Sequence, residues 1–493
     1  MTFDKVADRS AAAGSLGSEV RPPAKSGLRG RWRIWIGLIG YHVTAWVLCN
    51  PGPLRPLFAL LRRLRPIAVT GTTVLLGKGA DAREVLDRFE DFTLGEVLSP
   101  RMPWGPFLLT IDWRDQHDRE RALFESMVAR GDDIARLRDI AASVCETAIA
   151  EASRAYDGRR QIDVVRGVCE PVVVAVADRY FGIPVVRADV SHTAQLLREI
   201  AGIAMVSPPE GSRRDARAKA AIAELTRHVT DAIASEASRV VPAPMAPAQP
   251  GQSLLERLVR AARAPDKPVW LDDDFVRRYV TGLAATGGAT IVRASTNALY
   301  ELLCRPRALR LALSACATLD RAERECATLE RNPDATVYAR RQALVALEAA
   351  RDELRQLIYE ALRFRPMLPL LLRYTPRDAL IAKGTPRQRL IKAGASIIAA
   401  PTAVMFDPAE FESPGEFRSQ RPLASYVHFG FGPRTCFGKY VADTVMLEIF
   451  RCLLKLPGIA LSEGWGGMIN YDGPVADSLI VTFAPFSSNT NVE

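Results

Sequence analysis

One segment of this chain has little freedom: Phe429-Gly430-Phe431-Gly432-Pro433-Arg434-Thr435-Cys436-Phe437-Gly438. Its glycines and proline dictate an irregular loop, and helical periodicity resumes after it through Val441, Val445 and Ile449. Cys436 therefore sits where a loop enters a helix. Unpaired backbone N–H groups and the helix dipole are expected to favour a thiolate there, and a thiolate so held is an electron-rich axial ligand for haem iron. The glycines would let the backbone approach a flat macrocycle, and Gly438 would leave clearance beside the ligand. Arg434 is placed to pair with an anionic haem propionate. On its own, a cysteine after a glycine loop is more often a packed structural thiol.

The rest of the sequence narrows the setting. Apolar residues make up 48% and charged residues 25% of 493, which excludes collagen-like, wholly disordered and small disulfide-stapled classes. The net charge of +9 is thinly spread, with no aromatic-basic interleaving, so nucleic-acid binding is not expected. The eight cysteines are scattered without a C-x-x-C pair, as in a reducing, cytoplasmic compartment, and the five histidines are too far apart for a zinc cluster. Metal chemistry would have to come with a cofactor. Helical periodicity predicts helices over 132–156, 162–182, 188–205, 213–238, 252–263 and 273–304, and a charged, alanine-rich stretch runs on to about 350. Strand-like sequence is confined mainly to 67–77, 370–400 and 478–484, so the expected class is mainly α with a minor β region.

The cysteine loop fills every fixed position of F-x-x-G-x-R-x-C-x-G and so resembles the signature of the cytochrome P-450 superfamily of haem-thiolate enzymes. The resemblance implies haem b (iron protoporphyrin IX) with Cys436 as the iron ligand and Phe429, Gly432, Arg434 and Gly438 around it. Glu360 and Arg363, one helical turn apart, and Arg421 in Pro414-x-x-Phe417-x-x-x-Arg421 resemble the family's buried ionic cluster, a structural element. His117 and Arg121 resemble an H-x-x-x-R pair that grips the propionates, and Arg373 matches another propionate position. A solvated surface charge is the competing reading for each of these alone.

Thr286-Gly287-Gly288-Ala289-Thr290 interrupts a long helix with two glycines, each costing about 1 kcal/mol relative to alanine, so a close packing partner is expected. It resembles the oxygen-binding groove, with Gly287 and Thr290 at catalytic positions. The acid usual before that threonine is Ala289 here, which leaves proton delivery to water or another group. Thr286, Thr290, Arg293 and Asn297 form a polar stripe. It reads either as a relay or substrate-carboxylate anchor, or as hydroxyls bonding i−4 carbonyls with an arginine at the wet end of the helix.

By resemblance the chain is a single haem domain over 66–493, a monooxygenase inserting one oxygen atom from dioxygen into a small apolar or lipid-like substrate. Electrons would come from a separate ferredoxin or reductase. The missing acid also admits a peroxygenase or lipid-hydroperoxide isomerase needing no reductase, and a haem sensor or electron carrier is the non-enzymatic alternative. Phe107, Leu108 and Ile203 are expected, with Thr286 and Arg293, to line the substrate pocket. Ahead of this domain, residues 1–30 are expected to be disordered. Residues 31–65 form an apolar, basic lead-in whose Ile34–Cys49 stretch is sixteen residues long. That is short of the roughly 18 to 20 needed to span a bilayer. It reads as an interfacial anchor flanked by Arg31, Arg33, Arg55, Arg62, Arg63 and Arg65, or as a helix packed on the main domain.

Overall fold

The computed structural model describes residues 28–485, with side chains described from Ile34 onward. The disorder expected for 1–30 therefore falls, up to residue 27, outside the described residues, as do the side chains of Arg31 and Arg33. Leu28 already begins α1 (Leu28–Cys49), which is followed by α2 (Leu54–Leu64), α3 (Gly79–Asp87), α4 (Gly95–Leu98), α5 (Arg114–Ser126) and α6 (Arg130–Ala152). Next come α7 (Glu170–Val176), α8 (Val190–Met205), α9 (Arg213–Ala237), α10 (Leu254–Arg263) and α11 (Asp273–Leu303). The alanine-rich stretch resolves into α12 (Pro306–Arg331) and α13 (Val337–Phe364), and α14 (Pro401–Met405) and α15 (Lys439–Leu454) complete the helices.

Local chemistry sets these boundaries. Ser212, Ser253, Asp272 and Thr336 each accept a backbone N–H three residues on, at Asp215, Glu256, Phe275 and Ala339, and so cap α9, α10, α11 and α13. Ser253 and Glu256 form a full capping box. Asp273 and Asp274 complement the dipole at the start of α11, and α12 begins with Pro306 in its first turn.

The strands are few and short: β1 (Ile67–Thr70), β2 (Thr73–Leu76), β3 (Arg154–Tyr156), β4 (Arg159–Asp163), β5 (Leu371–Tyr374), β6 (Ala379–Ile381), β7 (Arg389–Ile391), β8 (Ser396–Ala399), β9 (Ala460–Leu461), β10 (Asn470–Asp472), β11 (Val475–Ser478) and β12 (Ile480–Phe483). β1-β2-β8-β5 form one sheet, with β2 and β8 parallel and the other pairs antiparallel, and β3-β4-β12-β9 form a second. Three elements correct the sequence reading. Residues 154–156, expected to be helical, turn back at Asp157-Gly158 (φ 43° and 69°) into the hairpin β3–β4, and Gly473-Pro474, with Gly473 at φ 62°, makes the hairpin β10–β11. The single helix expected over 162–182 is instead broken by π-helical turns at Val165–Cys169 and Ala177–Phe181 on either side of α7. Pro171 in the first turn of α7 cannot join a regular ladder, and a widened turn before it relieves the clash.

α11 runs through the interior, with most side chains from Phe275 to Leu302 buried. Its first half packs on α8, α9 and α10 through Phe275, Tyr279, Leu197 and Leu258, and its second half on α12, α13 and α15 through Leu299, Leu302, Leu354 and Phe450. A third apolar cluster joins α3 to the first sheet through Val85, Val74 and Ile397.

α1 has two faces. Tyr41, Ala45 and Leu48 are buried against the body, while Trp35, Ile36, Ile39, Val43 and Trp46 are exposed at 46–61%. α2 adds exposed Leu57, Leu60 and Leu64. Two of the flanking arginines are not free to meet a lipid surface. Arg55 lies over the rings of Phe364 and Phe406, and Arg62 donates to the carbonyls of Gly77, Ala403 and Phe406. Arg63 and Arg65 remain exposed. Among the described residues no helix is long and apolar enough to cross a membrane.

Candidate active site

The cysteine loop is built as its composition requires. Phe429 accepts the Cys436 N–H at 2.9 Å, and Gly430 and Gly432 have φ of +80° and +74°. A Cβ on Gly432 would lie 2.8 Å from Asp87 Cα, so only glycine fits against α3. A Cβ on Gly438 would sit 3.8 Å from Cys436 Sγ, an ordinary contact with the sulfur. The side chain of Cys436 is open to contact although it sits deep in the protein. Burial pushes its thiol up, outweighing the Gly438 N–H and the Arg121 charge, which pull it down. A positive partner at the sulfur would offset that desolvation.

A basic cluster surrounds the loop. Arg121 donates to the carbonyl of Thr435 at 2.9 Å and pairs with Glu125 at 3.0 Å. Arg434 is buried, donating to Leu109 O at 2.6 Å and Ile111 O at 2.7 Å and pairing with Asp112, while its Nε has no partner. Arg373 is buried with one hydrogen bond, to Leu372 O at 2.8 Å, and an unpartnered Nε. Burial, with the Arg434 charge adding, pushes its guanidinium down to about 9. His117 is buried, with Nδ1 2.9 Å from Asp118, and burial together with Arg434 and Arg121 lowers its pKa against the pull of Asp118. Of the two buried guanidiniums only Arg434 pairs with a carboxylate, Asp112, which nothing in the sequence spacing marked. Such a cluster is short of negative charge, and unpartnered N–H groups on both arginines fit the acidic edge of a porphyrin.

The ionic cluster is fully buried. Arg363 holds Glu360 through Nε at 2.9 Å and Nη2 at 2.7 Å, and Arg421 stands 3.5 Å from Glu360. Tyr426 Oη and the Arg418 N–H also donate to Glu360, at 2.8 and 2.9 Å. Arg363 further binds the carbonyls of Met405, Pro414 and Glu416. α13 is thereby tied to the chain that leads into the cysteine loop.

On α11 the two glycines divide their roles. Gly288 has the close partner, since a Cβ there would lie 3.3 Å from Leu197, whereas nothing lies within 4 Å of one on Gly287. Thr286 and Thr290 bond carbonyls one turn back, at Gly282 and at Thr286 and Gly287. Arg293 is neither a pocket anchor nor at a wet helix end. It is completely buried and donates to Pro474 O at 2.5 Å and Leu48 O at 2.6 Å, pinning α1 and the β10–β11 hairpin to α11. Asn297 bridges Arg365, Pro366 and Tyr471. Phe107 is packed on Gly282 and Tyr279, and Leu108 is half-buried beside it. Ile203 lines a polar cleft of about 480 Å³ between α1, α8, α9 and the β10–β11 hairpin.

The fold is shared with known proteins. The chain matches the family description Cytochrome P-450 over residues 203–456, just over half its length. The crystal structure of CalO2 superposes with a TM-score of 0.64 at 21% identity, covering 88% of this chain and 98% of that one. A cytochrome P-450 solved with a hexadec-9Z-enoic acid ligated acyl carrier protein superposes with a TM-score of 0.63 at 16% identity, covering 89% and 99%. Linoleate diol synthase of Gaeumannomyces graminis is 38% identical over 76 residues, 15% of this chain but only 6% of that protein's length. The chain belongs to the cytochrome P-450 family.

Arg373 gives a test of the cradle. Burial and the neighbouring Arg434 charge disfavour its guanidinium in the haem-free protein, so an anion brought to it relieves that cost. Arg373→Leu should raise the haem-free melting temperature and weaken haem binding about tenfold or more, the worth of a charge-assisted hydrogen bond. Unchanged haem affinity by titration would contradict the assignment.

Proposed function

We propose that this protein is a haem-thiolate oxygenase of small apolar or lipid-like substrates, with Cys436 as the iron ligand and one haem domain spanning 66–493. The observation that carries the reading is the open Cys436 side chain beside a buried arginine cluster short of anions. In this reading Arg373, Arg434, His117 and Arg121 hold the propionates of haem b, and Asp112 fixes the orientation of Arg434. Bound haem would supply the activation of oxygen. The protein's own part is to hydrogen-bond the sulfur through the Gly438 N–H and to leave free space over Gly287. Thr290 is the hydroxyl placed to hold a proton on α11 once its bond to Thr286 or Gly287 is released.

Dioxygen, with electrons from a ferredoxin or reductase, is the preferred oxygen source. A hydroperoxide is the second reading, favoured by Ala289 and by the lack of any carboxylate on α11 between Asp274 and Glu301. A relative named for linoleate diols and a fold neighbour solved with a carrier-linked fatty acid both support a fatty-acyl substrate. The test is product formation from long-chain fatty acids that shift the haem spin state. Turnover that requires NAD(P)H and a surrogate ferredoxin pair is expected, and fast conversion of a lipid hydroperoxide without reductant would transfer the function to the second reading.

The apolar faces of α1 and α2, with Arg63 and Arg65, are proposed to rest on an anionic membrane surface. Wild-type protein should cosediment with phosphatidylserine vesicles, and Trp35→Ser/Trp46→Ser should abolish this. Equal binding of the variant would contradict the contact.

A further inference from the structure

Glu170 is a buried carboxylate that the haem-thiolate reading leaves unused. It opens α7 directly after the π-helical turn Val165–Cys169, and a turn of that kind re-aims the residues that follow it. Its carboxylate meets Arg198 of α8, with Nε 3.3 Å from Oε1. Arg198 also binds Asp477 at 2.7 Å, and Asp477 is held by Arg166 at 2.7 Å.

These groups line two neighbouring spaces. Glu170, Arg198 and Val475 line the polar cleft of about 480 Å³. The same three residues line a crevice of about 10 Å³ that ends on Ala289, walled by Val173 and Leu197. A volume near 10 Å³ is about the least that admits one water molecule. A carboxylate thus borders the polar cleft and a small crevice in which it and Arg198 are the polar groups. The crevice ends at the α11 position that lacks an acid, next to Thr290.

We propose that Glu170 is the proton-relay carboxylate of this enzyme, replacing across the α7–α11 contact the acid that α11 lacks at Ala289. The inference rests on the reading in which dioxygen is the oxygen source. Insertion of one oxygen atom into a C–H bond consumes dioxygen, two electrons from the ferredoxin class of donor and two protons, and yields an alcohol and one water. Glu170 passes a proton to the crevice water and regains one from the cleft, ending unchanged. The charged groups that face it are Arg198 from α8, Arg166 from the π turn, Asp163 from β4 and Asp477 from β11. Burial raises its carboxyl, with Asp163 and Asp477 adding and the two arginines opposing, so that it can carry a proton nearer neutrality than an ordinary glutamate.

The test compares wild-type holoenzyme, Glu170→Gln and Glu170→Gln/Ala289→Asp with a spin-shifting fatty acid and a surrogate ferredoxin pair. Glu170→Gln should keep the ferrous–CO spectrum and KM, lower kcat about 100-fold and divert reductant into hydrogen peroxide. The fall of wild-type kcat as pH rises through the Glu170 pKa should vanish in the variant. A carboxylic C=O band in the infrared spectrum of the wild-type holoenzyme should titrate at that same pH and be absent from Glu170→Gln. Adding Ala289→Asp should restore coupling. Wild-type kcat, coupling and pH profile in Glu170→Gln would overturn the relay alone, as would a loss of activity that Ala289→Asp does not restore. Failure of the wild type to use reductant would overturn the dioxygen reading and the relay with it.

Discussion

Replacing Glu360 by glutamine is expected to destabilise the protein by about 3–5 kcal/mol, the cost of leaving a buried charge without its partner. Glu360 is completely buried and gathers Arg363, Arg421, Tyr426 and the Arg418 N–H. Glutamine keeps the shape but strands two buried guanidiniums, one of which also holds the carbonyls of Met405, Pro414 and Glu416. A loss of that size is a large share of the roughly 5–15 kcal/mol of a folded domain. The chain approaching the cysteine loop should loosen first, so haem should fail to load before secondary structure is lost. Urea unfolding followed by circular dichroism, alongside haem absorbance, measures both. A variant with wild-type midpoint and full haem content would show that the cluster does not organise the loop.

The helical frame was legible because apolar positions at intervals of three to four residues report a buried face directly. α8 to α11 fall within two residues of the limits read from sequence. The two missed hairpins carried their signal in Asp157-Gly158 and Gly473-Pro474, whose residues suit tight turns with positive φ, but short flanking strands with little alternation hid it. The break of the 162–182 helix was signalled by Pro171, which regular apolar spacing on both sides masked.

The site was legible where residues are close in sequence and obscure where they meet through the fold. The loop from Phe429 to Gly438 and the Glu360–Arg363 turn each lie in a single segment. Asp112, which pairs with Arg434, and Glu170, which meets Arg198, join distant segments and have no local pattern. Arg293 shows the converse: its place in a polar stripe pointed to a ligand or to solvent, but the fold folded α1 and a hairpin over it, and two backbone carbonyls became its partners. Periodicity reports which face a residue occupies and not what covers that face.

The second large effect is expected at Cys436. Serine is nearly the same size and keeps the loop's backbone bond from Cys436 to Phe429, so the fold should survive. An alkoxide or neutral hydroxyl gives iron far less electron density than a thiolate, and oxygen activation should fall below detection. The most direct measurement is the absorption spectrum of the ferrous–CO complex of wild type and Cys436→Ser, at matched haem content and with circular dichroism to confirm folding. Thiolate ligation predicts the strongly red-shifted Soret band in the wild type and its absence in the variant; a red-shifted band retained by Cys436→Ser would contradict it.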